Sequence, residues 1–290
     1  MKKYVFGVDI GGTTVKLGFF TVEGELLDKW EITTRKDEGG RFILPDVAAS
    51  IESKLEEKSI DKDEVAGVGI GVPGPVRDDG TVLRCVNLGW GVFNVEEEVE
   101  KLVGLPAKVG NDANMASLGE MWQGGGKGYS SIVMVTLGTG VGGGIIINGK
   151  MLYGINGAGG EIGHICVDDS ETEICGCGKQ GCLEVYGTLS AISATQKNEI
   201  ESLFKSPEKF ETELAEAGAY FSKALYNIYT LLKPQRLILT GNATRLDCFT
   251  ESAISLLREE NVDIVIDSEI SAAYGAAVES AKSAIRSFII

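Results

Sequence analysis

Two segments of the chain share one pattern, in which a turn rich in glycine and threonine joins two strands. The first is Phe6-Gly-Val-Asp-Ile-Gly-Gly-Thr13, followed by the apolar run 15–20. The second is Val133-Met-Val-Thr-Leu-Gly-Thr-Gly140, followed by a strand over 144–147. An internal repeat of this kind predicts two lobes that each begin with a glycine hairpin, and a length of 290 residues suits two lobes or one large α/β unit. The two hairpins could hold one polyphosphate, although two glycine-rich hairpins can also resemble each other by chance.

The rest of the sequence predicts alternating helices and strands, and therefore an α/β fold. Apolar residues at helical spacing predict a helix over 42–57, and Asn94 could cap a helix that runs to 104. Further helices are expected over 111–122, 210–232, 245–258 and 272–286. Runs rich in β-branched residues predict strands over 2–10, 15–21, 25–33, 65–72, 131–137, 144–147, 236–239 and 263–266.

The first glycine turn has the residue types that phosphate and magnesium require. Glycine allows backbone N–H groups to approach an anion closely, and the hydroxyls of Thr13 and Thr14 add further donors. Asp9 ends the preceding strand and would hold Mg²⁺ through water, because this ion sheds its hydration shell reluctantly. The same residues also suit a plain β-turn with Asp9 as an ordinary turn residue.

Two G-x-G-x-x-G matches, at 69–74 and 138–143, do not indicate a nicotinamide enzyme. A dinucleotide site needs a helix directly after the glycine turn, whereas a strand follows the second match and Pro75 follows the first. The phosphate-binding motif of P-loop enzymes is also missing, because Lys127 is followed by glycine and not by a hydroxyl residue.

Composition disfavours nucleic acid and membranes as partners. The chain has 27 basic and 42 acidic residues, a net charge of −15 that phosphate backbones would repel. Neither a signal peptide nor a run of about 18 apolar residues is apparent, so we expect a cytoplasmic protein. Three of the six cysteines lie within eight residues, at 175, 177 and 182, and the others, at 85, 166 and 248, are expected in the core.

Six motifs, in this order along the chain, resemble those of the ROK family of sugar kinases and sugar-responsive repressors. They run from Asp9 nearly to the end of the chain and are Asp9-Ile-Gly-Gly-Thr13-Thr-Val-Lys16, Gly71-Val-Pro-Gly-Pro75 with Asn87-Leu-Gly-Trp90, Asn111-Asp-Ala-Asn114 with Leu118-Gly-Glu120, Gly138-Thr-Gly140-Val-Gly142, Gly160-Glu161-Ile-Gly-His164, and Cys175-Gly-Cys177-Gly-Lys-Gln-Gly-Cys182-Leu-Glu184.

The resemblance implies the actin-like (ribonuclease H-like) ATPase fold, with two lobes around a cleft. We expect an N-terminal lobe over residues 1–108, with the last helix at about 273–290 packing back on it. The C-terminal lobe would span 109–272 and carry a zinc loop. A homodimer is common in such a family and is expected here on that ground alone.

The resemblance also assigns roles to residues. Asp112 would be the catalytic base, and the sugar would contact Asn111, Asp112, Glu161, His164, Glu184 and Gly74. ATP would be bound by Asp9, Gly11, Gly12, Thr13, Thr14, Lys16, Gly138, Thr139, Gly140 and Gly241. A structural zinc ion would be held by His164, Cys175, Cys177 and Cys182. The usual Gly-Gly-Gly of the nucleoside loop is replaced by Thr240-Gly241-Asn242, so the nucleoside contacts depart from the family pattern.

Each role has an ordinary structural alternative. Asp112 begins a predicted helix and could simply cap it, and Glu161 and Glu184 could be solvated surface carboxylates. His164 is the only histidine, and a lone histidine more often packs in a core than binds a metal. However, three cysteines follow it within eighteen residues, and imidazole with thiolates is a ligand set that zinc favours.

The resulting prediction is an ATP-dependent kinase that phosphorylates the 6-hydroxyl of a hexose. Asn111-Asp-Ala-Asn with Leu-Gly-Glu resembles the glucokinase branch, so glucose is the expected substrate. Fructose, mannose, allose and N-acetylhexosamine kinases share most of these motifs and stay as alternatives. A non-catalytic sugar sensor and an actin-like assembly protein or ATPase are rival functions from other classes.

Overall fold

A computed structural model describes residues 2–138, 140–187 and 200–267. The chain forms two compact units. Within the described part, the first comprises residues 2–124 and 153–159, and the second comprises residues 125–152 and 160–267. The predicted closing helix at 272–286 lies outside the described residues. No helix in the described part is long and apolar enough to cross a membrane.

The first unit is built on a mixed five-stranded sheet. Its strands are β1 (Tyr4–Ile10), β2 (Thr14–Thr21), β3 (Leu26–Thr33), β4 (Val65–Val72), β5 (Thr81–Val82), β6 (Phe93–Asn94) and β7 (Ala107–Asn111). Its helices are α1 (Asp37–Gly40), α2 (Ile43–Lys58), α3 (Val95–Val103) and α4 (Asp112–Gln123). The main sheet has the order β3-β2-β1-β4-β7, and β5 pairs with β6 in a separate ribbon.

The second unit repeats this sheet. Its strands are β8 (Ile132–Leu137), β9 (Val141–Ile147), β10 (Lys150–Met151), β11 (Arg236–Thr240) and β12 (Asp263–Asp267), in the order β10-β9-β8-β11-β12. Its helices are α5 (Leu183–Gly187), α6 (Ile200–Lys205), α7 (Glu211–Leu232) and α8 (Asp247–Ala253). In each sheet three antiparallel strands are followed by two parallel ones. The structure therefore confirms the repeat predicted from the two glycine hairpins.

Helix positions follow from apolar spacing and from capping residues. Val47, Ile51 and Leu55 recur at intervals of four residues on α2 and are buried in the core of the first unit. Asn94 caps α3, because its side chain accepts a hydrogen bond from the Glu97 N–H at 3.0 Å. α7 ends at Leu232 and is capped by Lys233, whose backbone is left-handed and which directly precedes Pro234.

Several predicted boundaries differ from those in the structure, and two of the differences have an identifiable cause. The helix expected over 245–258 stops at Ala253, because the N–H of Leu256 bonds to the Ser222 hydroxyl at 2.9 Å and not to the preceding helical turn. The first unit runs to Gly124 and not to 108, because β7 pairs with β4 and α4 packs against both strands.

Two glutamates of α3 cover the outer edge of β7. Glu96 Oε1 accepts a hydrogen bond from the Val109 N–H at 3.1 Å, and its Oε2 contacts Lys108 Nζ at 3.0 Å. Glu100 accepts the Ala107 N–H at 3.0 Å. Backbone donors on an edge strand otherwise face solvent or another strand. These carboxylates thus bind two backbone donors on the outer edge of the strand that leads into α4.

Replacing Phe221 with alanine is expected to destabilise the second unit. The ring is fully buried on α7, packs edge-on against Phe249 at a centroid distance of 5.3 Å and contacts Gly187 at the end of α5. Loss of a buried phenyl ring costs about 3–5 kcal/mol of unfolding free energy, measurable by chemical denaturation. The matched control is Tyr226→Ala, at an exposed position of the same helix. Equal effects of the two substitutions would contradict this packing.

Candidate active site

The first glycine turn lies between β1 and β2 and is held by a neighbouring threonine. The Gly11 N–H donates to Thr14 O at 3.1 Å, which closes the turn. Thr34 donates its hydroxyl to Gly11 O at 2.7 Å and its N–H to Thr13 O at 3.0 Å. Thr34 is buried, and sequence reasoning missed it, although it directly follows the polar end of β3. Its contacts fix the backbone that is predicted to bind phosphate.

Asp9 and Asp112 lie close enough in the first unit to interact electrostatically. Burial raises the pKa of Asp9 to about 7; the Asp112 carboxylate raises it too, and Lys16 opposes both. Lys16 is the cross-strand partner of Asp9 in the β1–β2 hairpin. Asp112 directly follows β7, so both carboxylates are at carboxyl ends of parallel strands, where open α/β sheets bind ligands.

The cap of α4 is Asn111. Its side-chain oxygen accepts the N–H groups of Ala113 at 3.0 Å and Asn114 at 3.2 Å, and its amide nitrogen donates to Gly74 O at 3.3 Å. The Asp112 carboxylate accepts the N–H of the next residue, Ala113, at 2.8 Å. The capping role that was the structural alternative for Asp112 is therefore filled by its neighbour.

Cys85 packs beneath this part of the first unit. It is fully buried, and its thiol donates to Pro73 O at 2.8 Å. Burial raises the pKa of Cys85 to about 12, and the nearby Asp112 carboxylate adds to the shift. The sequence predicted Cys85, Cys166 and Cys248 in the core. This prediction is correct for Cys85 and wrong for Cys166, which is exposed, and for Cys248, which is only partly buried. Cys166 lies on a surface loop, and its backbone forms an isolated antiparallel β-bridge with that of Cys182.

The second glycine turn lies between β8 and β9, where Gly138 N–H donates to Gly140 O at 3.0 Å. Thr139 lies outside the described residues. Gly241 follows β11, and with φ of 105° a side chain there would collide with the Leu137 carbonyl at the end of β8. Gly241 is thus adjacent to the strand that leads into the second turn, and only glycine suits this close approach.

The predicted metal ligands form one cluster in the second unit. One ligand atom from each of His164, Cys175, Cys177 and Cys182 lies within 4.8 Å of the others. His164 Nδ1 is 3.6 Å from Cys175 Sγ, and Cys177 Sγ is 3.6 Å from Cys182 Sγ. A tetrahedral zinc ion with bonds of about 2.0–2.3 Å needs ligand separations of this order. A hydrogen bond from the Lys179 N–H lowers the pKa of Cys177, which favours its thiolate. The residues therefore fit zinc.

The two predicted sugar-binding glutamates of the second unit flank this cluster. His164 Nε2, on the opposite side of the ring from Nδ1, lies 3.9 Å from Glu161 Oε2. Glu184 Oε1 lies 3.9 Å from Cys175 Sγ, and Glu184 Oε2 accepts the Val141 N–H at 3.1 Å. Glu184 is partly buried by these contacts and is not a solvated surface residue.

Two tyrosines that sequence reasoning missed support the metal loop. Tyr186 and Tyr220 stack with ring centroids 3.9 Å apart. Their hydroxyls donate to Glu171 and Asp168, each at 3.0 Å. Hydrogen bonds from the Ser170 side chain and backbone lower the pKa of Asp168 to about 2. These pairs tie the loop that follows His164 to α5 and α7.

The structure thus places the predicted site residues in two groups. The first unit brings together Asp9, Gly11, Gly12, Thr13, Thr14, Lys16, Gly74, Asn111 and Asp112. The second unit brings together Gly138, Gly140, Gly241, Glu161, His164, Glu184 and the three cysteines.

Comparison with known proteins identifies the family. The sequence pattern of the ROK family matches residues 5–289. The chain belongs to the ROK family. A glucokinase from Halalkalibacterium halodurans is 36% identical over 268 residues, which are 84% of this chain and 81% of that relative.

Solved structures of ROK proteins confirm the fold class. A ROK family glucokinase from Streptomyces griseus, in complex with glucose and AMPPNP, is 29% identical with a TM-score of 0.78, and the match covers 97% of this chain and 98% of that one. A ROK hexokinase from Thermus thermophilus is 27% identical with a TM-score of 0.82, covering 98% and 99%. ROK sugar kinase structures have the actin-like ATPase fold, so the mixed α/β fold predicted from the sequence is correct.

Replacing Asp112 with asparagine is expected to lower the pKa of Asp9. The Asp112 charge raises the pKa of Asp9, so its removal makes ionisation of Asp9 easier. In the wild type the folded state is stabilised by protonation of Asp9. This stabilisation is complete below the ordinary pKa of 3.8 and is lost as the pH rises through about 7. A carboxyl ¹³C NMR titration without Mg²⁺ measures the shift, with Asp63→Asn, at an exposed position of the same unit, as control. An unchanged Asp9 titration in Asp112→Asn would refute the coupling.

Untagged protein is expected to contain about one zinc ion per chain, because the four clustered ligands satisfy a closed structural site. Cys177→Ser should lower the zinc content measured by mass spectrometry and the melting temperature. Cys248→Ser, outside the cluster, should change neither. Well-folded, active protein that lacks zinc would rule out this site.

Proposed function

We propose that this protein is an ATP-dependent sugar kinase that phosphorylates the 6-hydroxyl of a hexose, with glucose as the preferred substrate. The observation that carries the proposal is the position of Asp112, which directly follows the cap residue Asn111 at the carboxyl end of β7 and interacts electrostatically with Asp9. The similarity to ROK glucokinases, one of them solved with glucose and AMPPNP, supports the substrate and the donor.

Asp112 would act as the general base. A sugar hydroxyl is a weak nucleophile at neutral pH, and a carboxylate within hydrogen-bond distance accepts its proton as the new O–P bond forms. The bond between the terminal phosphate and ADP breaks in the same transfer, which otherwise depends on positioning and charge neutralisation. Asn111 holds the first turn of α4 and so fixes the orientation of the Asp112 backbone.

Asp9 would hold Mg²⁺ with the phosphates of ATP. Its raised pKa shows that a buried negative charge is costly at this position, and a bound divalent cation would offset that cost. The turn from Gly11 to Thr14, braced by Thr34, would present backbone N–H groups and hydroxyls to the same phosphates.

In the second unit, Glu161, Glu184 and His164 would bind sugar hydroxyls. Carboxylates accept hydrogen bonds from paired hydroxyls, and the Nε2 side of His164 faces Glu161 while Nδ1 faces the cysteines. Zinc, when bound, would supply structural cross-linking of the loop and no step of the transfer. The ring would then connect the metal to the sugar.

Carboxylate acceptors of this kind would also suit other hexoses, so the sugar is the part of the proposal that needs direct testing. A coupled assay of ADP release with glucose, fructose, mannose, allose and N-acetylhexosamines distinguishes the functions. Sugar-stimulated release identifies a kinase and its substrate, release without sugar identifies an ATPase, and sugar binding without turnover identifies a sensor. The homodimer expected from the resemblance stays a prediction.

Replacing Asp112 with asparagine is expected to reduce turnover by about 10²–10⁴-fold, the usual contribution of a general base. The substitution keeps the shape of the side chain, so the fall in turnover should greatly exceed any fall in sugar affinity measured by calorimetry. Asp63→Asn serves as the control for loss of a carboxylate elsewhere in the unit. Near-normal phosphorylation by folded Asp112→Asn would show that another group is the base.

A further inference from the structure

Both carboxylate oxygens of Glu184 contact groups of the second unit itself. Oε2 accepts a hydrogen bond from the Val141 N–H at 3.1 Å, at the start of β9. Oε1 lies 3.9 Å from Cys175 Sγ in the metal cluster. A residue that only recognised a sugar would need neither contact. Glu184 therefore connects the metal cluster to the second glycine turn.

The carboxylate also lies directly against the backbone of that turn. A methyl group added at Gly140 would be 2.8 Å from Glu184 Oε2 and would force one of them to move. A methyl group at Gly138, on the other side of the turn, would meet nothing within 4 Å among the described residues. Glu184 thus packs against the turn at Gly140, whereas Gly138 has no such neighbour among the described residues.

Glu184 is itself held on a braced element. It lies on α5, directly after the metal ligand Cys182 and its neighbour Leu183, both of which are buried. Two residues further along, Tyr186 is bonded to Glu171 and stacked on Tyr220. Because α5 is held in this way, the Glu184 carboxylate has little freedom to move. It therefore restrains the Val141 N–H to which it is bonded.

We propose that Glu184 is a positioning residue for the backbone of Gly140 and Val141 in the second glycine turn, and that it strengthens nucleotide binding in the absence of sugar. The inference rests on the proposed function, in which this turn binds the phosphates. A turn held in its binding conformation loses less conformational freedom when the ligand binds. The negative charge acts in the opposite direction, because it repels phosphate. The hydrogen bond and the charge therefore have opposite effects on nucleotide affinity.

Two substitutions separate these effects. Glu184→Gln keeps an oxygen that can accept the Val141 N–H and removes the charge, whereas Glu184→Ala removes both. We expect Glu184→Ala to bind AMPPNP with Mg²⁺ about tenfold more weakly than the wild type, in calorimetry without sugar, as befits a lost hydrogen bond to a charged acceptor. Glu184→Gln should bind at least as tightly as the wild type. Sugar affinity should fall in both variants.

Glu161→Ala is the matched control. It removes the other predicted sugar carboxylate, for which no contact with the turn is found among the described residues, so it should weaken sugar binding and leave AMPPNP binding unchanged. If Glu184→Ala binds AMPPNP as tightly as the wild type, or more tightly, Glu184 does not position the turn. If the wild type itself binds no AMPPNP, the proposed function fails instead.

Gly140→Ala provides a second measurement. Its methyl group should weaken AMPPNP binding in the wild type and weaken it less in Glu184→Ala, where the opposing carboxylate is gone. Equal losses in both backgrounds would contradict the contact. Thermal denaturation checks that each variant is folded, and Glu184→Ser replaces Glu184→Ala if the alanine variant is not.

Discussion

The parallel pairing of β1, β4 and β7 determines where the reactive groups of the first unit lie. The register sets Asp9 opposite Gly71 and Val72 opposite Asn111, so the three strands end at one edge of the sheet. Two carboxylates then come close in a poorly solvated place, and the pKa of Asp9 rises to about 7. A bound cation would stabilise the ionised Asp9 carboxylate, which is otherwise unfavourable in this place. The proposed role of Asp9 depends on this cost of ionisation.

Features that depend on local sequence were predicted well. Runs rich in β-branched residues predicted eight of the ten strands of the two main sheets, missing β7 and β10, and the helix capped by Asn94 and the long helix α7 were also predicted. The errors in predicted boundaries arise where a contact with a residue distant in sequence determines the structure. The Ser222 hydroxyl, 34 residues away, captures the Leu256 N–H and ends a helix that its own sequence would continue. In the same way, the strand pairing of β7 and not its composition assigns α4 to the first unit.

The site was predictable where side-chain chemistry leaves few alternatives. One histidine and three crowded cysteines predict a metal cluster, and the cluster is present. The Tyr186–Glu171 pair and the Glu184–Val141 contact were not predictable, because they join residues 15 and 43 positions apart without any recurring pattern. The chain has many glutamates, and the sequence does not show which of them contacts the second glycine turn. Only the fold reveals that Glu184 faces a backbone donor.

The carboxylates of Glu96 and Glu100 bind two backbone donors of β7, those of Val109 and Ala107, which are then unavailable to a foreign strand. Exposed strand edges are templates for intermolecular β-sheet, and thus for aggregation. No additional element is needed to cover these donors, because both glutamates lie on α3, which already packs its apolar residues into the core. The strand that delivers Asp112 is consequently protected from self-association by side chains that take no part in the proposed chemistry.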